Sequence, residues 1–286
     1  MVVLCSLRSA PRGILCPVRA GLALVLLFGC KAAHTSYVGP PAYLDAGVTP
    51  TPVAFMSGSR TLHGFLYRPS GDGPFPAVVY NHGSERWPGD KRDEAVFYVP
   101  HGYVLFVPHR RGQGESSDAG EYVGAKARDN AEVVSELVAQ TDDVMAAVDY
   151  VRSLPYVDRA RVAVAGCSFG GIVSLLAAER GTGIEAVVDF AGGAMMWGGA
   201  PELRERMKKA ARSAQVPVFF VQAENDFDTA PSHELSEEMR QAGKAVRVHV
   251  FPPNGSTHQE GHHLCWGGER PAWGDEVLDF LKQKAP

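Results

Sequence analysis

From about residue 53 onward, short apolar runs alternate with segments whose apolar positions recur at helical spacing. Val53-Ala54-Phe55-Met56 and residues 61–67 flank Ser57-Gly58-Ser59-Arg60 and read as a hairpin. Residues 76–80, 103–107, 161–165, 186–190, 216–221 and 245–251 read as buried strands. Helices are expected over 90–99, 133–154, from Ser168 onward, 201–213, 232–241 and 273–282. The second carries Val134, Leu137, Val138, Met145, Val148 and Val151 as an apolar stripe. Strands alternating with helices of this length predict an α/β fold. It would have a mainly parallel central sheet of about eight strands, with helices on both faces. Ligands in such sheets bind beyond the carboxyl ends of the strands.

One such end carries Gly166-Cys167-Ser168-Phe169-Gly170, between a strand-like run and a helix-like run. That context is what a nucleophile elbow requires. A sharp turn forces the serine into a strained backbone, tolerable only beside residues without bulk, and Gly166 and Gly170 supply that room. The plain alternative is a helix N-cap serine.

A serine hydroxyl needs an adjacent base, itself oriented by an acid. Asp226 follows the strand ending at Val221 and is the candidate acid, ahead of Asp228 and Glu224, which could instead decorate a turn or cap the helix near Pro231. The base must come from the loop after the last strand, where His258, His262 and His263 are available. His262 is favoured because Gly261 lets the backbone approach the nucleophile. His258 and His262 are four apart, a metal-binding spacing when both lie on one helix face. Gly255, Gly261, Gly267 and Gly268 argue for a loop instead, so no metal is expected. The order Ser, Asp, His is that of the α/β-hydrolase fold and not of chymotrypsin or subtilisin. Oxyanion donors would be the backbone N–H of Phe169 and that of Gly83 or Ser84, in Asn81-His82-Gly83-Ser84. His82 reads as a structural ring bracing that loop.

Composition narrows the reading. Apolar residues make up 45% of the chain and charged residues 21%, ordinary for a globular domain. A net charge of −4 without a basic stripe argues against a nucleic-acid partner, and no protein partner is implied. Arg8, Arg12 and Arg19 precede the apolar stretch 21–28, too short to span a bilayer, which needs about 20 residues. Residues 1–29 therefore read as a secretory signal, and residues 30–52 as a flexible lead-in. Residues 53–286 then form a single catalytic domain. Leu27-Phe28-Gly29-Cys30 is similar to a bacterial lipobox, which would make Cys30 a lipid anchor, with Phe28 bulkier than the usual residue. The expectation is an exported protein, a periplasmic or cell-surface lipoprotein tethered to a membrane, or alternatively secreted. Beyond Cys30 only Cys167 and Cys265 remain, beside the candidate nucleophile and base. They read either as a disulfide or as two small buried residues.

The chain resembles α/β-hydrolases of the dienelactone hydrolase-like group, which shades into the prolyl oligopeptidase-like peptidases. Asn81-His82-Gly83 is similar to that group's oxyanion loop, and residues 109–116, His-Arg-Arg-Gly-Gln-Gly-Glu-Ser, to its turn after strand four. Phe251-Pro252-Pro253 through Glu260-Gly261-His262 resembles its histidine loop. The resemblance implies Ser168, Asp226 and His262 as the triad. Dienelactone hydrolases proper use Cys as nucleophile, so their substrate is not carried over. Met195, Met196 and Trp197, in a Gly-flanked loop, could line an apolar pocket or simply pack on the sheet; Tyr122 offers another wall. The expected activity is hydrolysis of a small-molecule carboxylic ester without cofactor. The alternatives are a peptidase or amidase, an acyltransferase, and a non-catalytic binding protein on the same scaffold.

Overall fold

A computed structural model describes residues 48–283. The segment 1–29, Cys30 and most of the lead-in lie outside the described residues.

Eight strands form one sheet: β1 (Thr51–Ser57), β2 (Arg60–Tyr67), β3 (Phe75–Asn81), β4 (Val104–Pro108), β5 (Val157–Cys167), β6 (Val187–Phe190), β7 (Val218–Ala223) and β8 (Val246–Phe251). Their order is β1-β2-β4-β3-β5-β6-β7-β8. β2 runs antiparallel to β1 and β4, and all other pairs are parallel. The helices are α1 (Arg92–Tyr98), α2 (Val123–Lys126), α3 (Asn130–Ser153), α4 (Phe169–Arg180), α5 (Pro201–Ser213), α6 (Ala230–Gln241), α7 (His258–His262) and α8 (Gly274–Lys282).

Alternate residues of the central strands face opposite cores. Val79, Val164 and Val187 meet Leu137 and Val148 of α3, Ile172 of α4, Met207 of α5 and Leu235 of α6. Val78, Tyr80, Ala163 and Val188 meet Phe97 of α1 and Val277 and Leu281 of α8. Trp273 closes this second core, its ring 4.7 Å from that of Phe97 and 4.8 Å from that of Phe190. A sheet covered on both faces leaves the rims as the places where polar chemistry can reach solvent.

Several elements differ from the sequence expectation, among them the short helix α2, which falls in no expected helix. β5 begins at Val157, with a register irregularity against β3 between Phe75 and Ala77. β1 starts at Thr51, so the domain extends two residues into the expected lead-in. The histidine segment is not a loop: Thr257 and Glu260 form a capping box that starts the one-turn helix α7. The glycines misled because Gly255, with φ +70°, only shapes the entry turn, while Gly261 sits inside the helix.

Glu94 of α1 is buried in the second core, where desolvation raises its carboxyl pKa from 4.5 to about 7 against the opposing charge of Lys91. The folded protein therefore holds a proton there that the unfolded chain releases. That contribution is complete below pH 4.5 and fades as pH rises through about 7. Glu94→Gln removes the titration, so the variant should gain stability over the parent between pH 5 and 8. The gain should be on the order of 3 kcal/mol, checked by urea denaturation at the two pH values.

Candidate active site

The site lies at the carboxyl ends of β3, β5, β7 and β8. Between β5 and α4, Ser168 has φ 57° and ψ −117°, a backbone that side-chain-bearing residues rarely adopt. Its N–H donates to the Phe190 carbonyl at 2.9 Å, pinning the turn to β6. The tightness is measurable at both flanking glycines. A Cβ on Gly166 would stand 2.4 Å from the Gly170 carbonyl oxygen, and one on Gly170 only 2.0 Å from that of Asn81. Phe169 is the first residue of α4, so its N–H has no acceptor within the helix.

The structure brings the candidate base and the candidate acid together. His262 Nδ1 and Asp226 Oδ1 are 2.8 Å apart, both side chains buried. Asp226 Oδ1 also accepts from the Phe227 N–H at 2.7 Å, and Oδ2 from Gln222 Nε2 at 2.8 Å. A carboxylate with those donors accepts from Nδ1–H, which leaves Nε2 as the basic nitrogen. Nε2 is buried and has no hydrogen-bond partner among the described residues, Ser168 Oγ included. In exchange, the two segments are joined covalently: Cys167 and Cys265 form a disulfide, with their Cα atoms 5.9 Å apart.

The competing side chains are occupied elsewhere. Asp228 Oδ1 accepts the Ala230 N–H at the start of α6, and Glu224 is exposed. His258 Nδ1 lies 3.1 Å from the Asn225 carbonyl, and the His263 ring stacks on Trp266 at 3.8 Å. Although His258 and His262 share α7, no group of three or more potential metal ligands gathers among the described residues. Gly261 serves a different contact from the one expected. A Cβ there would fall 2.5 Å from the Asn225 carbonyl oxygen, so the glycine brings α7 against the acid-bearing turn and not against the nucleophile.

The loop after β3 is built around a charge the sequence reading passed over. Arg110 is fully buried; its guanidinium donates to the carbonyls of His82 and Gly83, each at 2.8 Å, and to Gln140 Oε1 at 2.9 Å. Holding these two carbonyls fixes the peptide planes of the loop, whose N–H groups the oxyanion role requires. Burial lowers the Arg110 pKa to about 10, still charged at neutral pH. The only hint in the sequence was its place in the turn after β4. His82 is fully buried, with Nδ1 3.1 Å from the Gly83 carbonyl and Nε2 3.4 Å from the Arg110 N–H. Burial, with Arg110 beside it, holds its pKa well below the ordinary histidine value, so it stays neutral and braces the loop. Tyr122 completes the support, its hydroxyl donating to the Ser84 carbonyl at 2.7 Å. A Cβ on Gly83 would approach the Cys167 carbonyl oxygen to 3.5 Å, which sets this loop against the elbow.

Of the three pocket candidates, Met195 is exposed and Met196 is half-buried against the core. Trp197 is not a pocket wall. It is 2% exposed within the α3–α6 core, with Nε1 donating to Glu234 at 3.1 Å. Gly193, with φ +86°, turns the chain back so that the indole packs inward. Exposed aromatic surface lies instead beside the base: the Phe227 ring is 5.7 Å from that of His262, and Trp266 covers His263.

Sheet order, elbow and the positions of acid and histidine after β7 and β8 define an α/β-hydrolase. Within that class the chain belongs to the dienelactone hydrolase family, whose model matches residues 62–259. A curated relative, the "uncharacterized peptidase YtmA" of Bacillus subtilis, is 22% identical over 235 residues, 70% of this chain and 86% of that protein. Among solved structures, acylaminoacyl peptidase of Pyrococcus horikoshii superposes with a TM-score of 0.64 at 16% identity. That match takes in 83% of this chain but only 42% of the peptidase. Est1E of Butyrivibrio proteoclasticus, solved with ferulic acid, gives 0.61 at 19% identity over 81% of this chain and 98% of that one.

Arg110→Lys keeps a charge but cannot present a planar fork to two carbonyls and Gln140. Losing at least one charge-assisted hydrogen bond should destabilise the fold by about 2 kcal/mol, read as a lower urea midpoint at unchanged slope.

Proposed function

We propose that the protein is a serine hydrolase that cleaves carboxylic esters through an acyl-enzyme. The observation that carries this reading is the His262–Asp226 pair with Nε2 left basic, on the segment bonded to the turn that strains Ser168. In the proposed reaction Ser168 Oγ attacks the ester carbonyl as its proton passes to His262 Nε2. The imidazolium that forms is stabilised by Asp226, which also fixes the tautomer. The N–H groups of Phe169 and of Gly83 or Ser84 receive the developing oxyanion, each worth about 3 kcal/mol. His262 then delivers the proton to the leaving alcohol, and a water activated by the same nitrogen releases the acid. Phe227, exposed beside His262, offers an apolar face to an acyl or alcohol group.

Ester cleavage is put first because this chain spans 98% of Est1E, which was solved with the carboxylic acid ferulic acid, and only 42% of the acylaminoacyl peptidase. The peptidase relatives support the second reading, hydrolysis of amides by the same groups. Substituting Ser168→Ala should lower the rate on short p-nitrophenyl esters at least about 10³-fold with the melting temperature retained. Full activity in that variant defeats the assignment. Rates on an ester and its matched anilide separate the two substrates: a faster anilide would select the peptidase.

Export to an oxidising compartment is part of the same proposal. Persistent disulfides belong to such compartments, and Cys167–Cys265 supports it. Cys30 is proposed as the lipid anchor. Labelled palmitate should enter the parent protein in cells and not the Cys30→Ser variant; equal labelling would exclude that role.

A further inference from the structure

We infer that Cys167 and Cys265 form a positioning pair: their disulfide holds the base His262 at the nucleophile Ser168. The inference rests on the serine-hydrolase reading and deepens it. Cys167 directly precedes Ser168, and Cys265 lies one 3-10 turn, His263–Cys265, beyond His262. The bond therefore links, across 98 positions, the residue before the nucleophile to a residue one short turn past the base.

Apart from the Tyr80 hydroxyl of β3, which donates to the Cys265 carbonyl at 3.5 Å, the other anchors of the base segment lead elsewhere. Asn225 Nδ2 donates to the carbonyls of Asn254 and Thr257, Asn254 Nδ2 to that of Glu260, and His262 itself pairs with Asp226. These bonds tie α7 to the turns after β7 and β8. Trp273 Nε1 donates to the Leu264 carbonyl at 2.7 Å, which ties the segment's far end to the approach to α8. Among the described residues no hydrogen bond runs from segment 257–265 to the elbow 166–170, and His262 Nε2 has no partner. Acid and base are thus one hydrogen-bonded unit, and nucleophile and oxyanion loop another; the long Tyr80–Cys265 hydrogen bond, at 3.5 Å, and the disulfide join them, and only the disulfide is covalent. Cys265 is buried at 1% exposure, and its Sγ lies 3.6 Å from the His262 carbonyl oxygen, so displacement of that sulfur moves the histidine backbone directly.

The consequence is kinetic. A catalytic group displaced by about 1 Å can slow a reaction on the order of 10²-fold without altering substrate binding. Without the bond, kcat should fall at least tenfold, KM should stay within about twofold, and the midpoint of the pH dependence of kcat should not move. An unmoved midpoint reports that His262 still pairs with Asp226 and is only misplaced.

The test uses the intact protein at low temperature, treated with tris(2-carboxyethyl)phosphine, which converts the S–S bond to two thiols as the phosphine takes oxygen from water. Thiol titration establishes that reduction is complete, and near-ultraviolet circular dichroism gives the folded fraction. Kinetic constants on a p-nitrophenyl ester are then expressed per folded molecule. Cys167→Ala/Cys265→Ala provides a permanently open form measured identically. A tenfold or greater loss of kcat at constant KM, restored on reoxidation of the parent, supports the pair. Full kcat per folded molecule in either form overturns it, including the case in which activity falls only with the folded fraction, since the bond would then merely stabilise the domain. Failure of the hydrolase reading itself appears differently: the oxidised parent would show no Ser168-dependent turnover at all.

Discussion

The backbone at Ser168 is the constraint to which the rest of the site is fitted. A residue with a side chain at φ 57° and ψ −117° persists only where its surroundings leave no alternative. Here β5 and β6 clamp it through the Phe190 carbonyl, while Gly170 admits the backbone at the end of β3, and Gly166 the Gly170 carbonyl, at distances no Cβ would permit. The same closeness places the loop after β3 beside the elbow. The Ser168 hydroxyl and the N–H groups proposed as oxyanion donors are therefore set by one packing event at the middle of the sheet, where β3 and β5 run parallel.

The acid and base follow a different logic. Asp226 and His262 sit on turns after the two last strands, and their relative position comes from local polar contacts. Gln222 links the acid to Asp228 and Ser232 at the start of α6, and Gly261 lets α7 close on the acid-bearing turn. Precision in such a half-site depends on small residues and short hydrogen bonds more than on buried area.

Much of this was legible in the amino-acid sequence, for identifiable reasons. The helix 201–213 and the strand cores emerged because their periodicity and flanking Pro or Gly agree with the tertiary burial. Ser168, Asp226 and His262 stood out because chain order and strand ends constrain them jointly. What escaped has equally physical causes. α7 is a single turn, below the length at which periodicity is visible, and its start depends on a reciprocal contact between Thr257 and Glu260. Trp197 looked like a pocket residue because a Gly-flanked loop gives no sign of which way its side chains turn; its indole finds Glu234, 37 positions later. Arg110 was overlooked because a charged residue is expected at the surface, and its acceptors are backbone carbonyls that carry no side-chain signature.

That guanidinium separates two properties of the loop after β3. Its grip ends at the Gly83 carbonyl, and Glu85, Arg86 and Trp87, past Ser84, are exposed. The orientation of the peptide planes is thus specified from inside the molecule, by a residue on another strand's turn. The rim beyond can change size, charge or aromatic character without tilting the amides beneath it. Under the proposed reaction, a scaffold wired in this way can retune what it admits while the amides proposed to receive the oxyanion stay put, because the two draw on separate stretches of a single short loop.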